Sequence, residues 1–382
     1  MTAVIILGAG IAGASLAAQL APLMEVALVE LEDQPGRHAT GRSAAMFFES
    51  YGNATIRALT RASRQFLDHP PEGFCESPLM TPRSALLVAA ASQAQRLDAL
   101  CGGPAAAHGY RRIDAAETLA RMPILRPEWA TSGGVLDDSG HDIDVAGLHQ
   151  GYLRAAKRAG CRMVYGLGEI ALERRSGLWQ VRGKGEMLQA PLLVNACGAW
   201  ADLVAAQAGA RTVGLQPMRR TALTIPAPAH HDIRDWPLVI DIDESCYFKP
   251  DAGQLLLSPA NEDPMPPCDV APEELDVAIA VDRFEQMTTE SVRKVSHRWA
   301  GLRSFVADRS PVVGFDSQAD GFFWLAGQGG YGIQTAPAMA RVAACLLTGA
   351  PLPTDIAGQG IAPEHLLPTR PALSAPSSPR QA

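Results

Sequence analysis

The opening of the chain constrains its fold more than any other stretch. An apolar run of strand length, Ala3 to Leu7, feeds the turn Gly8-Ala9-Gly10-Ile11-Ala12-Gly13. A small-residue helical segment follows to Leu20, and a second apolar run, Val26 to Val29, ends at Glu30. This spacing predicts a dinucleotide-binding βαβ unit. Gly8 makes the tight turn, Gly10 lets the backbone approach a pyrophosphate, and Gly13 lets the helix pack closely on the strand. The free N–H groups of the first helical turn, from Ile11 and Ala12, face the phosphates. Glu30 is placed to bind ribose hydroxyls, and its carboxylate opposes a 2′-phosphate, so FAD or NAD fits and NADP does not. A signal peptide or membrane helix fits poorly: no basic segment precedes the run, three glycines interrupt it, and Pro22 and Glu25 close it.

The 382 residues allow two domains. A net charge of −7 argues against a nucleic-acid surface, and no later apolar run reaches membrane-spanning length, so no integral membrane segment is expected. Seven scattered cysteines without a CxxC pair read as reduced thiols of a cytoplasmic protein. No histidine or cysteine spacing suits a metal, and none is expected.

Further along, Gln34 to Ala45 reads as a polar, glycine-rich loop. A helix capped by Asn53 carries Ile56, Leu59, Phe66 and Leu67 on one face and stops before Pro70. Ser84 to Ala89 is a strand candidate. Asp144 caps a helix bearing Leu148, Tyr152 and Ala155 that ends at Gly160, and Arg162 to Tyr165 then reads as a strand. The segments from Ile170 to Arg174 and Trp179 to Arg182 form a hairpin across Ser176-Gly177. Leu192 to Trp200 repeats the opening design of strand into small-residue turn, and Phe322 to Thr335 does so again before a helix through Leu347. Between them lie short strands at Thr221 to Ile225, Leu238 to Ile242, Tyr247 to Lys249 and Gln254 to Leu257, with a helix over Pro272 to Thr289. Three strand-to-glycine junctions separated by β-rich segments predict one cofactor domain interrupted by insertions. The Pro- and Ser-rich tail from Pro368 is expected to be disordered.

The glycine fingerprint, Glu30, the loop Thr40-Gly41-Arg42-Ser43, Asn195-Ala196-Cys197-Gly198-Ala199-Trp200 and Gly329-Gly330-Tyr331-Gly332 together resemble the FAD-dependent D-amino acid oxidase and dehydrogenase superfamily. The blocks Gly147 to Arg154, Trp299 to Asp308 and Gly332 to Thr335 extend the likeness over nearly the whole chain, closest to the bacterial D-arginine dehydrogenases. The resemblance implies an α/β two-domain flavoprotein: a Rossmann-like FAD domain (1–83, 142–214 and 311–367) with an interleaved substrate domain (84–141 and 215–310) built on a mainly antiparallel β-sheet, and a tail over 368–382. It further implies a non-covalent FAD held by Gly8, Gly10, Ile11, Ala12, Gly13, Glu30, Leu31, Thr40, Gly41, Arg42, Ser43, Ala44, Ala45, Glu169, Ile170, Ala196, Gly198, Trp200, Gly329, Gly330, Tyr331, Gly332, Ile333 and Gln334.

By the same resemblance Arg303 and Arg220 bind a substrate carboxylate, with Tyr51, Tyr247 and Gly330 in the catalytic site. A guanidinium suits that task because its planar fork donates two parallel N–H bonds. Taken alone, Arg219-Arg220 reads as a solvated basic pair, Arg303 as a surface side chain stacked on its aromatic neighbours, and Tyr247 as a core aromatic. Met46, Phe48, Glu49 and Ala85 are the implied substrate-pocket residues. Two depart from the nearest pattern: Met46 replaces a histidine, and Ala85 replaces a glutamate that meets a cationic side chain. The expected reaction is oxidative deamination of D-amino acids to 2-oxo acids and ammonia, with an apolar or broad side-chain preference. Electrons pass from FAD to a quinone, an artificial acceptor or oxygen, which allows a peripheral contact with a membrane. Two alternatives stand beside it: a secondary-amine oxidase of the glycine, sarcosine or proline type, and an FAD-carrying subunit of a larger dehydrogenase.

Overall fold

The computed structural model describes residues 2–102 and 109–373. Its first sheet has six strands in the order Val312–Phe315, Phe322–Ala326, Leu192–Asn195, Val4–Leu7, Val26–Val29 and Arg162–Val164. All neighbours run parallel except the hairpin at the first edge. Strands covered on both faces need unbroken apolar runs, which is why Val4–Leu7 and Val26–Val29 read as they do. Helices Ile11–Leu20, Val145–Arg158 and Gly332–Thr348 pack on one another, and Ala54–Asp68 packs on the last of them, around a core containing Ile6, Leu28, Leu59, Leu148 and Phe323. The other face is closed by the three-stranded sheet Ala171–Arg175, Leu178–Gly183 and Glu186–Ala190 and by helix Ala201–Gln207, through Trp179, Val181, Leu188 and Ala205. Val4–Leu7 lies at the centre, with the chain's next strand on one side and a much later one on the other. Ligands of open α/β sheets bind at such a reversal, beyond the strand's carboxyl end.

A nine-stranded sheet covers that end. It runs Asp263–Pro264, Gln216–Pro226, Gln254–Ser258, Tyr247–Asp251, Leu238–Asp241, Ala85–Val88, Gly134–Asp137 and Tyr110–Ile113, with His297–Phe305 also paired to Gln216–Pro226. Every pairing is antiparallel except that of Leu238–Asp241 with Ala85–Val88. Helix Glu274–Met287 seals its outer face on Leu223, Ile225, Phe248, Leu255 and Leu257. Met46–Phe47, His141–Ile143 and Met80–Pro82 form a small separate sheet. No helix among the described residues is long and apolar enough to cross a membrane.

The expected helices and strands are present, and three features that the sequence did not announce stand out. His297–Phe305 is a strand paired in nine registers with Gln216–Pro226, although Gly301 interrupts its apolar alternation. Tyr110–Ile113 and Gly134–Asp137 also pair in the second sheet, where adjacent arginines in the first hide the pattern. The third concerns the tail. Arg370 is buried and its guanidinium holds Asp308 at 2.7 and 2.9 Å and the carbonyls of Ser310, Pro311 and Leu366, so the start of the tail is anchored through Pro368 and Arg370, contrary to expectation. The rest of the predicted disordered tail, 374–382, lies outside the described residues.

Candidate active site

The glycines of the opening turn are dictated by contact. Gly8 has φ +96°, and a Cβ there would sit 2.4 Å from the Ala196 carbonyl oxygen of the neighbouring strand. A Cβ on Gly13 would fall 1.9 Å from the Gly8 oxygen. The turn is held from three sides. The Ile11 N–H donates to Thr40 Oγ1 at 3.0 Å, the Ala9 N–H donates to Glu30 Oε2 at 2.9 Å, and the buried His149 meets the Ala9 carbonyl through Nε2 at 2.8 Å. Burial lowers the His149 pKa and keeps the imidazole neutral. The other Glu30 oxygen accepts from the N–H groups of Leu31 and Glu32.

A cavity of about 710 Å³ runs from this turn to the underside of the second sheet. Of the residues expected at the cofactor, Gly8, Gly10, Ile11, Ala12, Glu30, Leu31, Thr40, Arg42, Ser43, Ala44, Glu169, Ile170, Ala196, Gly198, Trp200, Gly329, Gly330, Gly332 and Ile333 line it. Gly13, Gly41, Ala45, Tyr331 and Gln334 stand behind the wall. Gly41 donates to the Gly36 carbonyl, the Ala45 carbonyl accepts from Ile143, Tyr331 packs on Tyr51 and Phe305, and Gln334 bridges the Phe48 N–H to Thr60. Arg42 has its guanidinium committed to the Val270 and Ala300 carbonyls and to Asp269, so it ties the loop to the second sheet.

Three buried polar atoms in the cavity wall, Ser304 Oγ, Gln328 Nε2 and His38 Nδ1, have no hydrogen-bond partner among the described residues. Such groups are costly unless something pairs them. Together with the glycine turn and Glu30 they suit a long polar dinucleotide, and the residues present fit FAD. Sequence reading missed Ser304, Gln328 and His38, though each adjoins a residue it chose or lies in the loop it flagged. Cys268 and Val270, also in the wall, offered no motif.

At the far end the second sheet supplies charge. On paired strands Arg220 lies opposite Gly301 and Met218 opposite Arg303, so the side chains of Arg220 and Arg303 leave the same face of the sheet. Arg220 is aimed by its Nε donating to the Asn261 carbonyl at 2.8 Å. Among the described residues Arg303 has no hydrogen-bonded partner, and its guanidinium lies against Gly330. Burial lowers the Arg220 pKa, and the Arg303 charge lowers it further. Burial works against the Arg303 charge too, but Tyr247, Tyr51 and Glu262 outweigh it and raise its pKa. Burial would raise the Tyr247 phenol, yet the two guanidiniums pull it below its ordinary value. Two like charges held in one cavity wall form a site for an anion. Their neighbour Arg219 points to the opposite face, buried against Asp276 at 2.9 Å, with Glu273 and Asp263 also paired to it.

The expected residues Met46, Phe48, Glu49, Tyr51 and Ala85 do not line this cavity, because the structure gathers most of them in a packed cluster beside it. Phe48, Ala85 and Leu238 form a buried apolar cluster, with Met46, Tyr51, Ile240 and Tyr247 against it. Tyr247 belongs both to this cluster and to the cavity wall. Glu49 does not join it: its carboxylate faces Arg64 Nη1 at 3.7 Å.

A family model described as FAD dependent oxidoreductase matches residues 3–346. The chain is 27% identical over 207 residues to FAD-dependent oxidoreductase domain-containing protein 1 of Xenopus laevis, which is 47% of this chain and only 38% of that protein's length. It is 23% identical over 378 residues to a glycine oxidase of Bacillus licheniformis, 92% of this chain and 94% of the relative. The crystal structure of glycine oxidase from Geobacillus kaustophilus superposes with a TM-score of 0.79 at 20% identity, covering 91% of this chain and 95% of that one. The expected superfamily and fold are thereby supported, and the finer likeness to D-arginine dehydrogenases is not carried by these matches.

Proposed function

The chain belongs to the FAD-dependent oxidoreductase family, FAD is its cofactor, and we propose that it oxidises D-configured α-amino acids with apolar side chains to 2-oxo acids and ammonia. One observation carries this reading: two guanidiniums, Arg220 and Arg303, leave one sheet face beside the Tyr247 phenol, at the end of a cavity whose other end is a dinucleotide turn. In this reading the first sheet and its helices form the cofactor domain, and the second sheet forms the substrate domain.

FAD supplies the hydride acceptor for the α-C–H bond. The protein's part is to bind and orient. Arg303 and Arg220 hold the substrate carboxylate by charge-assisted hydrogen bonds. Tyr247 and Tyr51 wall the site, and Tyr247 borders the cluster of Phe48, Ala85 and Leu238, which takes the side chain. With the carboxylate and side chain both fixed, only one enantiomer directs its α-hydrogen toward the cofactor, so the site is stereoselective, and the D hand is taken from the resemblance to D-amino acid oxidases and dehydrogenases. Loss of hydride from the neutral amine leaves an iminium ion, and water hydrolyses it to the 2-oxo acid and ammonium. No imidazole stands at Met46 to take a proton from the substrate amine, so an amine already neutral fits this site.

FAD is held non-covalently in this reading. Arg303 and its neighbours Leu302, Ser304 and Phe305 include no thiol, and Cys197 lies at the glycine turn, where burial pushes its thiol pKa up. The second reading, a glycine-type amine oxidase, draws on the glycine oxidases among the relatives. Glycine would leave the cluster of Phe48, Ala85 and Leu238 beyond Tyr247 without a substrate contact, which favours the first reading. A panel of D-amino acids with an artificial electron acceptor, repeated with oxygen alone and with glycine and sarcosine, tests the choice. Turnover of D-Leu or D-Met above glycine supports this reading, and glycine leading the panel overturns it.

A further inference from the structure

Behind the carboxylate-binding arginines stands a carboxylate of the protein's own. Glu262 Oε1 lies 3.4 Å from Arg220 Nη2, and both its oxygens pair with Arg309, at 2.8 and 3.1 Å. Arg309 in turn lies over the Phe305 ring, 3.6 Å from its centroid. Burial would raise the Glu262 pKa, but Arg309, Arg220 and Arg303 hold it below the ordinary carboxylate range, so it is an anion. Two guanidiniums thus pair with one fixed carboxylate, and Arg303 stands within its field. Arg220 does not need Glu262 for its direction, because the shorter bond from Nε to the Asn261 carbonyl supplies that.

We propose that Glu262 is a built-in counter-charge that acts through Arg220 to weaken carboxylate binding at the Arg220–Arg303 pair. The inference rests on the reading that this pair holds the substrate carboxylate. Substrate and 2-oxo acid product share that carboxylate, so whatever the arginines gain in holding one they gain in retaining the other. Binding both equally well lowers KM without speeding the chemical step. A fixed anion behind Arg220 takes up part of its field and lets the product leave. Glu262 is therefore a positioning and tuning residue, outside the reacting atoms.

The sign of the effect makes the test sharp, since damage to a site weakens ligands and loss of a counter-charge tightens them. The probe is the 2-oxo acid derived from leucine, titrated into FAD-loaded protein and followed by the change in flavin absorbance. Glu262→Gln keeps a hydrogen bond to Arg309 and removes the charge; its Kd should fall about five- to tenfold, the order expected for one unit charge about 7 Å from the bound carboxylate at an effective dielectric of about 40. Glu262→Asp keeps the charge and should bind like the native enzyme. Unchanged or weaker binding by Glu262→Gln overturns the proposal, as does equal tightening in both variants. If Arg303→Lys leaves native affinity for the probe unaltered, the carboxylate site itself is misread and this inference falls with it. If Arg303→Lys weakens the probe and Glu262→Gln does not tighten it, only the inference fails.

Discussion

Arg303 and Gly330 touch in a way that leaves no room for a side chain: a Cβ at Gly330 would lie 3.0 Å from Nη1 and 3.1 Å from Cζ of the guanidinium. Gly330 thus sets how deeply Arg303 sits against the glycine-rich segment that opens helix Gly332–Thr348. Gly330→Ala is accommodated by a shift of the flexible arginine, so the protein should fold and bind FAD. The displaced fork should lower kcat/KM for D-amino acids by about ten- to a hundredfold, the range for small misplacements of a positioning group. Steady-state kinetics checks it, and an unchanged kcat/KM would show that the carboxylate does not depend on Arg303 at this depth.

The side-chain pocket makes a second prediction. Ala85 is buried among Phe48 and Leu238, and the nearby Glu49 is occupied by Arg64. Apolar substrates lose nothing there, whereas a cationic side chain would enter without a counter-charge. The native enzyme should prefer D-Leu, D-Met or D-Phe to D-Arg. Ala85→Glu should shift the ratio toward D-Arg by about 1.5–3 kcal/mol, the worth of a charge-assisted pair. D-Arg leading in the native enzyme, with that lead removed by Glu49→Gln, would mean that Glu49 swings inward.

Asp269 clips the loop after Glu30 to a segment that borders the cofactor cavity. It pairs with Arg42 and, at 3.1 Å, with Arg37, both from the loop that follows Glu30. Its neighbours Cys268 and Val270 line the cavity. Part-exposed ion pairs are individually weak and salt-screened, so Asp269→Asn should speed FAD release by only about three- to tenfold and reduce its salt dependence. Flavin fluorescence reports the release. A variant that keeps both the native rate and the native salt response would remove Asp269 from cofactor retention.

Acid should loosen the glycine turn through His149. Burial lowers its pKa in the folded protein below the ordinary 6.5, so the unfolded chain binds more protons between the two values. This group's contribution to stability is complete above about pH 6.5 and is lost as the pH falls below it. Tm of the holoprotein should therefore decline on acidification from neutral pH, and His149→Gln should flatten that part of the profile. An identical slope in both proteins would assign the acid sensitivity elsewhere.

Much of this molecule was legible because its signals are local. The βαβ fingerprint, the Asn53 and Asp144 caps and the Ser176-Gly177 hairpin each depend on residues close in sequence, and each stands where the pattern placed it. What escaped depends on pairing across the chain. His297–Phe305 is a strand because Gln216–Pro226 lies beside it, and its own alternation is broken at Gly301. Arg370 is packed because Asp308 faces it, in a tail whose composition alone reads as loose. Within the site, Arg220, Tyr247 and Arg303 came from resemblance and do border one cavity. Glu262 and Asp269 carry no motif, and only the folded sheet shows which charges they meet.

The central claim is that this FAD protein oxidises a D-amino acid unaided. It is tested most directly by adding D-Leu and L-Leu separately to the purified, FAD-loaded chain without oxygen and following visible flavin absorbance. Rapid bleaching is expected with D-Leu, none of comparable rate with L-Leu, and loss of the D-Leu response in Arg303→Lys. Equal bleaching by both enantiomers, or no bleaching by any D-amino acid while glycine or sarcosine reduces the flavin, would contradict it.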